Sequence, residues 1–431
     1  MKPLTLLLLV GSVVLSLCLA AASAAAETIP SSGEEHPALA GFDAWMQKFM
    51  EENSVPGGSL AIVKNGNVVY ARGFGWADRD AKAPVQPESL FRIASVSKPI
   101  TAVAILQLAD EGKLKLDDKI LDHLRFDPHF EEGATFDERW KQVTIAHCLS
   151  HAGGWDRDKS YDPMFQAIRM SKSLKIDLPI LPEHIIRYQL GQKLDFDPGE
   201  RYAYSNFGYS LLGRIIEKVT GLPYEQYVQQ AVLKPLGITR AKIGGSLADQ
   251  RTDGEVRYYA IKDGQGTAIV GPGAGEKKVP ISYGVWRQET LDSHGGWIAS
   301  ASDLAKFAAT FDLIADGQQT RGGLLKPATV KQMFSQHSTI PPPKENPDLP
   351  ASHYGYGWLV KEEANGIVAR HGGALACTAS ALMHFSDNTN LAVLFNLGQF
   401  PDGKFLSRSI EKPLTDLVRK VEQWPGAGEK N

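Results

Sequence analysis

The stretch Ser95-Val96-Ser97-Lys98 sets a hydroxyl and an amine one helical turn apart on the same face. An amine so placed can take the hydroxyl proton if burial or a neighbouring cation lowers its pKa, leaving an oxygen nucleophile for an acyl carbon. Spacing alone is weak support, since Ser409-Ile410-Glu411-Lys412 repeats it. Context separates the two. Ser95 lies where a strand-like run, LFRIA, gives way to an apolar helix, whereas Ser409 sits inside a terminal helical pattern with Pro413 directly after its lysine. At a helix start the first N–H groups have no intrahelical partner, so that of Ser95 can donate to an oxyanion formed by its own attack. Pro99 suits a first turn. Ser97 has no lysine three positions on and is expected to be a structural hydroxyl. Read alone, the stretch is equally an N-cap serine followed by a solvated lysine.

Two distant motifs change that balance. Tyr204-Ser205-Asn206 is the one Tyr-x-Asn of the chain and offers a phenol for proton transfer and an amide for a substrate carbonyl. A turn tyrosine with an N-cap asparagine is the bland alternative. His371-Gly372-Gly373 follows the strand-like IVAR and sets an imidazole beside bare backbone. His151-Ala152-Gly153 and His294-Gly295-Gly296 compete for this place, but only the third motif lies in the terminal strand series.

In that order, the three motifs resemble the class C-like branch of the serine β-lactamase and penicillin-binding superfamily, over nearly all of the mature chain. CLSHAGGW and HGGWIASASDLAKF look like two further segments of that family. The resemblance implies that Ser95 is acylated, with Lys98 and Tyr204 sharing its proton and later activating water. It implies that Asn206 and His371-Gly372-Gly373 bind substrate and that the N–H groups of Ser95 and Ala374 form the oxyanion hole. No cofactor or metal is implied. The third motif departs from the family's Lys-Thr-Gly, and a neutral imidazole serves a carboxylate less well than an ammonium. The expected substrates are therefore esters or D-amino-acid peptide-like amides. A class C-like β-lactamase or D,D-carboxypeptidase is the alternative, and an inactive peptidoglycan-binding or interaction module is the reading from another class.

The elements that would position these groups follow from pattern. FDAWMQKFMEEN reads as an amphipathic helix, and GSLAIVKNGNVVYARGFGWA as a hairpin about Asn65-Gly66. ITAVAILQLADEGKL is a helix stopping near Gly112, and VTIAHCLSH and NFGYSLLGRIIEKVTG are two more. Residues 244–293 read as a Gly-rich irregular loop over one face. SASDLAKFAATF is a helix capped by Ser302 or Asp303; YGYGWLVK, NGIVARHGG, ACTASALMHF and TNLAVLFNLG are strands, with a turn from Ser386 to Asn390. A last helix runs over 404–424. The fold class is α+β, with one antiparallel sheet built from both ends of the chain, flanked by helices, and a mostly helical lobe inserted. The expected division is a tail at 27–40 and one catalytic domain at 41–425, with an α/β lobe at 41–94 and 295–425 and a helical lobe at 95–294.

Residues 1–26 combine one charge, a long apolar run and a small-residue end, as a cleaved secretory signal does. A lipoprotein reading through Cys18 is weakened by Leu17, and an uncleaved anchor is the other alternative. A secreted or periplasmic protein is expected, without a span after cleavage. Loss of Lys2 moves the formal charge from −3 to −4, which offers no basic surplus for nucleic acid. Cys148 and Cys377 remain, as one bridge or as two buried thiols. His147 and His151 are four apart, but the glutamate of H-E-x-x-H and a third ligand are missing, and no G-x-S-x-G occurs. A small ester, peptide-like or β-lactam molecule is the expected partner; nothing in the sequence sets the oligomeric state.

Overall fold

A computed structural model describes residues 29–314, 317–342, 352–363 and 366–425. The expected signal segment lies outside them. Helix α1 (Ala40–Glu52) precedes the hairpin of β1 (Gly57–Lys64) and β2 (Asn67–Asp78). Asn65 and Gly66 both take positive φ, 51° and 85°, the backbone twist that a two-residue hairpin turn requires.

The interior of the chain carries α2 (Ser97–Asp110) and α3 (Asn206–Thr220), and α4 (Ala301–Ala309) leads back to the sheet. The chain then forms β3 (Leu359–Glu363), β4 (Gly366–Leu375), β5 (Thr378–Phe385), β6 (Thr389–Phe395) and the closing α5 (Ser407–Lys420). The antiparallel sheet runs β2-β1-β6-β5-β4-β3, with Ser31–Ser32 beyond β2 and Ser352–Tyr354 and Ser338–Ile340 beyond β3. First and last strands thus meet at the β1–β6 pair, as expected from apolar runs at both ends of the sequence.

Alternation decides which face each strand residue covers. Leu60 and Ile62 of β1 join Met46 of α1 and Ile410 and Leu414 of α5 in one core. Ala61 and Val63 join α2 and α4 in the other. Helix α2 is apolar all round, and nearly every residue of it is buried.

Several local readings are corrected. Ser300, not Ser302 or Asp303, caps α4, accepting from the Asp303 N–H. YGYGWLVK is not one strand: Tyr354 ends one, residues 355–358 turn, and Leu359 pairs back opposite Tyr354. Gly357 permits the reversal at φ 83°, because a Cβ there would lie 2.7 Å from that of Ala102. The helix in VTIAHCLSH stops at Leu149, and His151 takes φ 58°, so His147 and His151 share no helical face. The last helix is Ser407–Lys420 rather than 404–424. The last turn ends at Asn388, and Asn390 is already inside β6. Cys148 and Cys377 are separate buried thiols.

Candidate active site

Ser95 stands on a short 3-10 turn, Ala94–Val96, just before α2. Arg92 and Ile93 fix that turn to the sheet: their carbonyls accept from Thr378 Oγ1 and Ser380 Oγ on β5, each at 2.7 Å. Ala94 takes φ 46°, a left-handed conformation costing an alanine on the order of 1–2 kcal/mol, held by this packing. The turn's first bond runs from Val96 N to Ile93 O, so the Ser95 N–H precedes the helical pattern. Gly373 of β4 lies alongside, where a Cβ would come within 3.2 Å of Ser95 N. Strand β3 pairs with β4 only over Gly366–Arg370, so His371–Leu375 pairs with β5 on one side and has no β3 partner on the other. Ala374 lines the resulting cleft together with Ser95.

Lys98 is fully buried. Its Nζ lies 3.1 Å from Ser95 Oγ, 2.7 Å from Asn206 Oδ1 and 2.9 Å from the His294 carbonyl. Burial pushes the amine well below the ordinary lysine range, Arg157 adds to this, and Asp162 opposes it. A neutral amine has two N–H donors and one lone pair. Two of its three neighbours are pure acceptors and the third is a hydroxyl, which is the set that form can satisfy.

Asn206 opens α3, and Ser205, which accepts from Gly208 N, is its N-cap. The Asn206 amide is held at both ends, since Nδ2 donates to Asp162 Oδ2 at 2.6 Å. Tyr204 carries Lys98 Nζ 4.8 Å and the Arg157 guanidinium 4.6 Å from its ring centre. Burial pushes the phenol above its usual range, although Ser95 is near enough to favour the ionised form.

His371 is buried, and burial first, with the nearby Lys98 amine second, lowers it to about 3. The ring is therefore neutral at ordinary pH. Nδ1 donates to the Gly372 carbonyl at 2.8 Å, and Nε2 accepts the Tyr354 hydroxyl at 2.9 Å, so neither nitrogen is free for a substrate.

Both competing histidine motifs also arrive here. His294, in a π-helical turn at Asp292–Gly296, gives its carbonyl to Lys98. His151 packs 4.4 Å from Tyr204 and 4.5 Å from Tyr354, and its Nδ1 accepts the Ser205 N–H at 3.2 Å. Ser97 is structural, donating to the Ala94 carbonyl at 2.7 Å. The repeat at Ser409 is inert: its hydroxyl donates to Leu406 O, and Lys412 pairs with Asp416 on α5.

The cleft measures about 820 Å³ and brings together Ser95, Tyr204, Asn206, His371, Gly372 and Ala374. Gly373 and Lys98 adjoin Ser95 without lining the cleft themselves. Arg92 ties the Gly-rich loop to the nucleophile's turn. Its guanidinium donates to the carbonyls of Ser282 (2.7 Å) and Gly245 (2.9 Å) and lies 4.3 Å from the centre of Tyr258. Sequence reasoning missed Asp162 and Tyr354; Asp162-Pro163 is a recognisable helix opening, and Asp162 does cap a 3-10 turn there. Among the described residues no cluster suited to a metal occurs, and no helix is long and apolar enough to cross a membrane.

Known proteins agree with this architecture. Protein flp of Staphylococcus aureus (strain N315) is 27% identical over 381 residues, covering 87% of this chain and 66% of that protein. The strain COL protein is 34% identical over 197 residues, 46% of this chain and 36% of its own length. The chain thus matches between about a third and two thirds of the length of these relatives. The octameric penicillin-binding protein homologue from Pyrococcus abyssi superposes with a TM-score of 0.63 at 27% identity, over 84% of this chain and 74% of that one. The D-amino acid amidase of Ochrobactrum anthropi SV3 shares the fold, with a TM-score of 0.65 at 21% identity over 89% of this chain and 98% of that one. The Beta-lactamase family model matches residues 42–412, and the chain belongs to the Beta-lactamase family of serine hydrolases.

Proposed function

We propose that this protein hydrolyses esters or peptide-like amides, D-amino-acid amides among them, through an acyl-enzyme on Ser95. The observation that carries the reading is Ser95 Oγ at 3.1 Å from a fully buried Lys98 amine whose pKa is depressed. In the resting site Lys98 is the neutral base and Tyr204 the protonated acid. Lys98 takes the Ser95 proton as Oγ bonds to the acyl carbon, and negative charge collects on the acyl oxygen between the N–H groups of Ser95 and Ala374. Collapse expels the leaving group, which takes its proton from Tyr204 or Lys98. A water then attacks the ester on Ser95 and gives a proton to the same pair, which returns it to Ser95 Oγ as the acid leaves.

Asn206 and His371 act in this scheme by positioning. Asn206 holds Lys98, and His371 is bonded to Gly372 and Tyr354. A neutral His371 supplies no cation for a β-lactam carboxylate, which favours esters and amides that lack one. Arg157 and Arg408 are the cationic side chains of the cleft, and nitrocefin turnover reads whether either serves such a substrate. Export through residues 1–26 belongs to the same proposal and rests on their composition.

The test is covalent labelling by a fluorophosphonate, mapped by mass spectrometry, beside hydrolysis of p-nitrophenyl esters, D-aminoacyl amides and nitrocefin. Labelling at Ser95, lost in Ser95→Ala, is expected. Full hydrolysis by Ser95→Ala refutes the mechanism. A protein that neither labels nor turns over any of these would instead be an inactive binding module.

A further inference from the structure

Beside the cleft lies a second cavity that the chemistry at Ser95 does not need. Phe165 is among the few large apolar side chains exposed in the described structure, at 41%, and it faces the cleft. Trp286 lines the same wall. Both residues also line a second cavity of about 340 Å³, so they stand on the boundary between the two. Behind them the second cavity is walled by Met164, Ile168, Ile269 and Val285, with Gln166 and Thr267 as uncharged polar members of the lining. Its one charged neighbour, Arg169, sets its guanidinium 4.8 Å from the centre of Tyr161 and 5.9 Å from that of Tyr188.

The positions of these walls follow from features already fixed. Phe165 ends the 3-10 turn that Asp162 caps, and Asp162 also holds Asn206. Trp286 and Val285 come from the Gly-rich loop that Arg92 anchors at Ser282 and Gly245. The hairpin Gln265–Thr267 with Lys278–Pro280 closes the same loop on itself. The side cavity is therefore tied by both walls to the residues around Ser95.

We infer that this side cavity is a subsite for an extended apolar group on the substrate, with Phe165 and Trp286 as the residues that set its selectivity. The occupant is an apolar chain or ring carried by the molecule that acylates Ser95, since the cavity shares Phe165 and Trp286 with that cleft and most of its lining side chains are apolar. Burying each additional methylene there raises kcat/KM by about fourfold. The inference rests on Ser95 being the nucleophile.

The experiment uses the full chain and p-nitrophenyl acetate, butyrate, hexanoate and octanoate below their micelle-forming concentrations. A parallel series holds the acetyl group constant and lengthens the alcohol. kcat/KM is expected to climb along one of the two series, which identifies the half of the substrate that enters. Ile168→Trp fills the cavity and is expected to flatten that climb, with circular dichroism and a thermal melt close to the parent's reporting that the variant is folded. Phe165→Ala is expected to lower the rates of the long members selectively. Two flat series, or an undiminished climb in Ile168→Trp, overturn the subsite. Failure of the nucleophile reading is separate: calorimetry with octanoate and acetate on Ser95→Ala needs no turnover. Octanoate binding (or octanol binding, where the alcohol series climbs) that Ile168→Trp abolishes sustains the subsite, and binding of both the long acid and the long alcohol no tighter than that of acetate overturns it.

Discussion

Lys98 Nζ lies 2.7 Å from Asn206 Oδ1, and the other end of that amide donates to Asp162 Oδ2 at 2.6 Å. A carboxylate only accepts, so it dictates which way the amide faces, and the amide oxygen is held toward the amine. Asp162 is also the charge that opposes the depression of the Lys98 pKa.

Asp162→Asn is therefore expected to have two effects of known sign. The Asn206 amide loses its fixed orientation, and kcat/KM falls by about tenfold, as for a lost charge-assisted hydrogen bond of about 1.5 kcal/mol. Removing the negative charge lowers the Lys98 pKa further, so the amine stays neutral in more acid solution. The acid limb of the kcat/KM profile then moves to lower pH. A limb that stays in place or moves upward refutes the coupling.

Lys98 as a base is separable from Lys98 as a charge. Lys98→Met keeps the stem but no basic nitrogen, and a loss on the order of 10² to 10⁴ in kcat is expected. Lys98→Arg restores a cation that cannot be deprotonated, and it is expected to be as inactive as Lys98→Met. Substantial activity in Lys98→Arg, measured on p-nitrophenyl acetate, assigns the base elsewhere, with Tyr204 the nearest group able to serve.

Acid should destabilise this fold more steeply than its carboxylates alone would. Burial lowers His371 to about 3, and His147, His151, His294, His337 and His384 are all lowered chiefly by burial. Between about 6.5, the unfolded value, and those depressed values, the unfolded chain binds more protons than the native one. Stability is thus full above about pH 6.5 and falls as pH drops toward 3. Thermal melts from pH 7.5 to 4.5 are expected to show Tm declining throughout. His384→Gln, away from the cleft and beside Asn390, is expected to shallow that decline without altering the pH profile of kcat/KM.

Motifs carrying short-range geometry were readable in the sequence, and those depending on the path of the chain were not. The hairpin at Asn65-Gly66, the apolar α2 and the Ser95–Lys98 turn all follow from neighbours a few positions apart. His151 and His294 read as rejected competitors for His371, yet loop paths bring His294 to the Lys98 amine and His151 to the Tyr204 ring. Tyr354 stayed hidden because YGYGWLVK alternates like a strand; the paired glycines 355 and 357 were the sign that it reverses. Asp162 and the aromatic wall at Phe165 and Trp286 depend on two long loops meeting, which no local period encodes.

The two glycines after His371 make opposite expectations. A Cβ on Gly373 would sit 2.2 Å from both the Ile93 carbonyl and Ser380 Oγ, and 3.2 Å from Ser95 N. The first of these is backbone in the nucleophile's own turn, so Gly373→Ala can be accommodated only by moving β4 or that turn. A cost of about 1–3 kcal/mol in stability is expected, together with a loss on the order of 10² in kcat as the Ser95 and Ala374 N–H groups lose register. A Cβ on Gly372 meets nothing closer than Glu411 Oε1 at 3.5 Å, an ordinary contact. Gly372→Ala should therefore melt within about 0.5 kcal/mol of the parent. Equal melting of the two variants would mean that β4 does not press on the turn, and retained turnover in Gly373→Ala would remove the Ser95 N–H from the oxyanion hole.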